Sequence, residues 1–145
     1  FEILQDKFTN LKITDKVLPE LNKLKKKIKI LLAEDNIINQ RVAQTIFKNL
    51  GYEISIAQNG KDCVDKIKEE DFDIIFMDIM MPEKDGLEAT AEIRSAGYKL
   101  PIVAMTANAR EEDKTKAFNS GMNHYLSKPV RIEEIKEVLI RYFSE

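Results

Sequence analysis

From Ile28 onward, short apolar runs alternate with segments whose apolar residues recur at helical spacing, and brief turn-rich joints separate them. Such a text predicts βα units and a parallel sheet. The first strand is Lys27-Ile28-Lys29-Ile30-Leu31-Leu32-Ala33, ending at Glu34-Asp35. Asn36 then stands where it could cap a helix. That helix has Asn39, Val42, Ala43, Ile46 and Leu50 as its predicted inward face and Gly51 as its stop. Tyr52 to Ala57 alternates as a second strand, Asn59-Gly60 predicts a turn, and Lys61 to Glu70 a helix with Cys63, Val64 and Ile67 inward.

The third strand, Asp73-Ile74-Ile75-Phe76-Met77, ends at Asp78. Pro82 to Gly86 leads into a helix with Leu87, Ala91 and Ile93 inward, which closes near Gly97. Pro101 to Met105 is the fourth strand, terminated by Thr106, and a helix is predicted from about Ala109 to Ser120, closed by Gly121. Tyr125-Leu126-Ser127 forms a short fifth strand before Lys128-Pro129. The final helix shows Ile132, Ile135, Val138, Leu139 and Tyr142 on one face.

Residues 1–27 stand outside this alternation. Phe1, Leu4, Phe8 and Leu11 are helically spaced, Pro19-Glu20 looks like a fresh helix start, and Lys23 to Lys27 is basic. A linker or the tail of an upstream domain is expected over 1–27, with the folded domain at 28–145. A basic nucleic-acid arm is the weaker reading, because the run is short and holds no Arg. Opening on Phe1 implies a true N-terminus further upstream.

Charge sharpens the division. Residues 1–27 carry seven Lys against four acids, while the remainder holds 16 basic against 21 acidic residues. An acidic body lacks the basic stripe that nucleic acid would require. The single cysteine, Cys63, leaves no intramolecular disulfide and fits a reducing compartment such as the cytoplasm. No stretch approaches the ~20 apolar residues of a membrane helix, so no membrane contact is expected of this segment. At 145 residues the chain has room for one domain with a full core and a modest extension.

The candidate chemistry lies where strands end. Parallel strands side by side would gather Glu34, Asp35 and Asp78 at one sheet edge, where ligands of open α/β sheets bind. Carboxylates packed together repel one another unless a cation is present. An all-oxygen set suits a hard ion such as Mg²⁺, completed by waters and phosphate oxygens. Asp78 could then attack phosphorus, with Thr106 as hydroxyl donor and Lys128 as a positive charge on the far side. Pro129 could hold a cis bond that turns Lys128 inward, and Ala107 leaves room for a phosphoryl group. Each residue alone is ordinary: a strand-end acid is often a solvated cap, and a lone Lys a surface cation. Their joint placement on four strand ends is not. His124, the only histidine, reads as solvent-exposed filler in a loop, and Cys63 as a small core hydrophobe. Met80 flanks the pocket and could hinder water.

Together with Leu31-Leu32-Ala33-Glu34-Asp35-Asn36, Met77-Asp78-Ile79-Met80-Met81-Pro82, Asp85-Gly86-Leu87-Glu88-Ala89, Met105-Thr106-Ala107 and Ser127-Lys128-Pro129, this constellation resembles the receiver domain of two-component response regulators. Glu-Asp-Asn-x-x-Asn-Gln and Met-Thr-Ala resemble the variety fused to hybrid histidine kinases. The resemblance covers about residues 28–143. It implies a flavodoxin-like (βα)5 three-layer α/β fold with strand order 2-1-3-4-5. It further implies Asp78 as acceptor from a phosphohistidine, and Mg²⁺ held by Asp35, Asp78 and the Met80 carbonyl, with Glu34 acting partly through water. Thr106 and the aromatic Tyr125 would be the switch pair. Such a domain catalyses its own phosphorylation and dephosphorylation, and its partner is a phosphohistidine-bearing kinase or phosphotransfer domain. With no output domain expected after the fifth helix, it would pass phosphate on or control its own kinase. The alternatives are a stand-alone single-domain regulator and, further off, an aspartyl-phosphate phosphatase, whose second acid two residues on is Met80 here. Ile38 is expected at the edge of the first helix's core face and Ile37 further round; Ile37 or Ile38, with the loop after Asp78, is expected as a docking patch, the alternative being that Ile38 completes the core.

Overall fold

A computed structural model describes residues 27–107 and 110–144. Residues 1–26 of the extension expected over 1–27, and Ala109, where the fourth helix is expected to start, lie outside the described residues. Five parallel strands and five helices alternate along the chain: β1 Ile30–Ala33, α1 Ile37–Asn49, β2 Ile54–Ala57, α2 Gly60–Glu69, β3 Ile74–Asp78, α3 Gly86–Ser95, β4 Ile102–Thr106, α4 Glu111–Ser120, β5 His124–Ser127 and α5 Ile132–Phe143. The sheet order is β2-β1-β3-β4-β5, the flavodoxin-like order 2-1-3-4-5. The chain divides into two compact units at Val130/Arg131, so the strands and α1 to α4 form one unit and α5 belongs to the other.

Every residue of β1, β3 and β4 is buried, as strands covered on both faces must be. Alternate residues then serve opposite faces. Leu31, Ala33, Ile75, Met77, Ile102 and Ala104 join Cys63, Val64 and Ile67 of α2, Ala89 and Ile93 of α3, and Ala117 of α4 in one apolar cluster. On the other face Phe76 meets Phe47 of α1 edge-on, with ring centroids 5.1 Å apart. Such a pair adds about 1 kcal/mol beyond the area it buries. Burying Phe47 against Phe76 decides how α1 rolls.

Phe47 therefore corrects the expected face of α1. Asn39 and Val42 are exposed rather than inward, Ala43, Ile46 and Leu50 are half-buried, and Phe47 is the buried anchor. In α3 the inward small residue is Ala89, with Ala91 exposed. Asn59-Gly60 is a helix start and not a free turn: the Asn59 side chain accepts from Asp62 N–H at 2.7 Å. A Cβ at Gly60 would lie 2.1 Å from the Lys84 carbonyl oxygen, so only glycine lets that loop approach. Asn36 caps α1, accepting from Asn39 N–H at 3.0 Å. Within α5, described by itself, Ile135, Val138 and Leu139 are buried, and Ile132 and Tyr142 half-buried, on the expected stripe.

Candidate functional site

Register places the site. Ala33 pairs with Met77, so the next residues, Glu34 and Asp78, emerge at the same level of adjacent strands. Asp78 pairs with Met105, which puts Thr106 one step further out on β4. Thr106 pairs with Ser127, and Lys128 follows. Four strand ends thus converge on one edge, as their spacing predicts.

Lys128 Nζ reaches two carboxylates at once: Glu34 Oε1 at 2.9 Å and Asp78 Oδ2 at 3.0 Å. The Lys128–Pro129 peptide is cis. Glu34 is 2% exposed and Asp78 5%, whereas Asp35 is open to solvent. Further bonds hold each buried acid. Glu34 Oε2 accepts from Asn36 N–H at 3.2 Å, and Asp78 Oδ1 from Met80 N–H at 3.2 Å. Oxygen atoms of Glu34, Asp35 and Asp78 lie within 4.8 Å of one another, a group that could hold a metal ion.

Electrostatics follows from this crowding. Burial pushes the Asp78 carboxyl up to about 6; Lys128 pulls it down, and Glu34 pushes it up further. For Lys128, burial disfavours the charge, but hydrogen bonds to Glu34 and Asp78 outweigh it and the pKa is raised. Three carboxylates against one ammonium leave two negative charges, the complement of a divalent cation. The donors are all hard oxygens, so the residues fit such an ion.

Thr106 is buried at the end of β4, and its side chain is hydrogen-bonded to Tyr125. Burial raises the Tyr125 hydroxyl pKa, and the Thr106 bond opposes that rise. Lys114 Nζ lies 5.7 Å from the Tyr125 ring centroid. Met80 is exposed at the mouth of the site, with only its main-chain N–H engaged by Asp78. His124 departs from expectation. It opens β5 opposite Val103 and is half-buried, because β4 offers pairing one residue earlier than the alternation suggested.

Sequence reasoning missed two supports. Gln40 Nε2 donates to the Glu34 carbonyl at 2.7 Å, tying the first turn of α1 to the end of β1. Its signal was the Glu-Asp-Asn-x-x-Asn-Gln spacing, which puts Gln40 six residues after Glu34. Gly86 begins α3 against the strand end: a Cβ there would stand 2.4 Å from the Asp78 carbonyl oxygen. Asp85, just before it, makes a reciprocal capping pair with Glu88, a cap of about 1 kcal/mol.

With that geometry in place, comparison with known proteins is decisive. The family described as "Response regulator receiver domain" matches residues 30–140. The chain belongs to that family. Hybrid signal transduction histidine kinase H of Dictyostelium discoideum is 42% identical over 139 residues, covering 89% of this chain and 10% of its own length. The osmosensing histidine protein kinase SLN1 of Saccharomyces cerevisiae is 41% identical over 122 residues, covering 79% and 10%. The chain spans between 7% and 16% of the length of the curated relatives it matches. Among solved structures, the receiver domain of the Pseudomonas aeruginosa sensor histidine kinase PA1611, with magnesium coordinated in its active-site cleft, superposes at a TM-score of 0.74. It is 38% identical and covers 79% of this chain and 96% of that one. The receiver domain of Ssk1, crystallised with the histidine phosphotransfer protein Ypd1 of Saccharomyces cerevisiae, gives a TM-score of 0.74 at 33% identity, over 81% and 90%. No helix among the described residues is long and apolar enough to cross a membrane.

Proposed function

We propose that this receiver domain takes a phosphoryl group from a phosphohistidine onto Asp78 within a two-component phosphorelay, as part of a hybrid histidine kinase. One observation carries the reading: a buried carboxylate at the end of the central strand, held between a lysine and a second buried acid. In the transfer, an Asp78 oxygen forms an O–P bond as the N–P bond of the phosphoimidazole breaks. The bonding pair stays on the imidazole nitrogen, which takes up a proton. Lys128 is positioned to meet phosphoryl oxygens, and the Thr106 hydroxyl to donate to one. Because Thr106 is bonded to Tyr125, turning toward the phosphoryl group would change the partner of Tyr125, which makes the two a switch. Glu34, Asp35, Asp78 and the Met80 carbonyl are the proposed Mg²⁺ ligands. When bound, the ion supplies neutralisation of phosphoryl charge.

Support for the parent architecture comes from relatives named as hybrid kinases, each matched over a small part of its length. The phosphatase alternative is weakened because exposed Met80 stands where its general acid would be. Residues 28–145 are taken as the domain and 1–27 as its linker, with a phosphohistidine kinase or phosphotransfer domain as partner and the cytoplasm as its place. Mass spectrometry after acetyl phosphate and Mg²⁺ treatment should show one added phosphoryl group, absent in Asp78→Asn. Stoichiometric labelling of that variant at another residue would remove Asp78 from the role.

A further inference from the structure

We infer that Met80 is a redox modification site: a hydroperoxide converts its thioether to the sulfoxide at the mouth of the acceptor site, and the modified domain loses the phosphoryl group from Asp78 faster. The second half rests on the phosphoacceptor reading of Asp78; the first half does not.

Selectivity follows from where the sulfur atoms lie. The chain has five methionines and one cysteine, and all of them fall among the described residues. Met77, Met81, Met105 and Met122 are buried, whereas Met80 is 71% exposed. Cys63 is fully buried, and burial, helped by the charge of Asp62, pushes its thiol up to about 12. No thiolate therefore competes for the oxidant. The other large hydrophobic side chains exposed among the described residues, Ile37, Ile38, Val42 and Phe118, hold no sulfur. Exposure also removes core completion as the role of Ile38.

Position gives the oxidation a consequence. Asp78 Oδ1 accepts from Met80 N–H at 3.2 Å, an i to i+2 bond that folds the Met80 main chain back beside the acceptor. Asp78 is recessed, so a phosphoryl group on it extends toward this rim. An unbranched, flexible thioether with solvent around it can lie against that group and keep water away. In the oxidation, an oxygen atom passes from the hydroperoxide to Met80 Sδ as the O–O bond breaks. The sulfur is oxidised, and the peroxide is reduced to water or an alcohol. The sulfoxide oxygen carries partial negative charge, which phosphoryl oxygens repel, so the side chain draws away and water approaches phosphorus. A water oxygen then bonds to phosphorus as the bond to the Asp78 oxygen breaks. The electron pair returns to the carboxylate, and the protons of the water leave with inorganic phosphate or solvent. Main-chain atoms of Met80 are untouched, so Asp78 still accepts a phosphoryl group.

The test begins with the protein in Mg²⁺, treated with hydrogen peroxide for increasing times and read by peptide mass spectrometry. Met80 should gain one oxygen about tenfold faster or more than any other methionine. Protein oxidised at Met80 is then labelled with acetyl phosphate and freed of the donor. Labelling should stay within about twofold of untreated protein, while loss of the phosphoryl group quickens about threefold or more. Methionine sulfoxide reductases of both stereospecificities should restore the original lifetime, which damage to the fold would not allow. Met80→Leu, compared with its own untreated form, should show no response to peroxide. Equal oxidation rates for all five methionines, an unchanged lifetime after oxidation of Met80, or a peroxide response that persists in Met80→Leu would each overturn the inference. Wild-type protein that acetyl phosphate fails to label at Asp78 would overturn the phosphoacceptor reading and the lifetime half with it.

Discussion

Both ends of the central strands carry charge, and they treat it in opposite ways. Before β1 and β3, Lys29 N–H donates to Asp73 Oδ2 at 2.8 Å, while Lys29 Nζ lies 3.8 Å from Glu70 and over the Phe72 ring. There the side chains are about half exposed, one cation faces acids that water also serves, and the arrangement is that of any solvated edge. After the same strands, Glu34 and Asp78 are buried and share one lysine, with Asp35 beside them. Residue types are the same at both ends. What differs is burial combined with an excess of one sign, an arrangement that favours the binding of something of opposite sign.

Removing the lysine at each end should break that comparison most sharply. Lys128→Ala strands two buried carboxylates and should cost about 3–5 kcal/mol at neutral pH without divalent cation, read from urea unfolding. Lys29→Ala should cost about 1 kcal/mol or less, since exposed pairs contribute little. Equal costs would erase the distinction.

Asp78→Asn should have the opposite sign. It removes one of the repelling acids, so metal-free protein should become more stable at neutral pH, with a smaller effect than that of Lys128→Ala. Asp73→Asn at the other edge should not stabilise it. A lowered urea midpoint for Asp78→Asn would show that its charge is not a burden on the fold.

The pH dependence is a finer version of the same contrast. Folding raises the Asp78 carboxyl to about 6, mainly by burial, so the folded state holds this proton more tightly than the unfolded chain does. Its contribution is therefore present in full below the ordinary carboxylate range and is lost as pH rises through about 6. Wild type minus Asp78→Asn, measured without metal, should show stability falling over that window. A flat difference between the two proteins would contradict the burial of Asp78 as a strained acid.

Most of the fold was legible because buried strands and their terminators write themselves locally. Ile74 to Met77 is an unbroken apolar run stopped by an acid, and Cys63, Val64 and Ile67 leave only one helical face to bury. α1 was not legible in the same way. Its apolar residues at 37, 38, 42, 46, 47 and 50 cover more than one face, and periodicity cannot choose among them. Phe47 wins because Phe76 waits on the sheet, a long-range fact, and Val42 is left in solvent as a result. Site residues were legible because strand ends fix them in register. The supports were less so: Gln40 acts on the Glu34 main chain, its motif spacing being the sole hint, and Gly86 matters through a close main-chain approach to Asp78 that comes from the fold.

Thermal unfolding with and without Mg²⁺ tests the central claim, that the buried excess of carboxylates at one edge is a cation-binding acceptor site. Millimolar Mg²⁺ should raise the wild-type midpoint by several degrees, at roughly 3–6 °C per kcal/mol of linked binding for a domain of this size. Asp35→Ala should abolish most of that rise, and Lys29→Ala should preserve it. A wild-type midpoint that Mg²⁺ leaves unmoved, or a rise that survives in Asp35→Ala, would contradict the account.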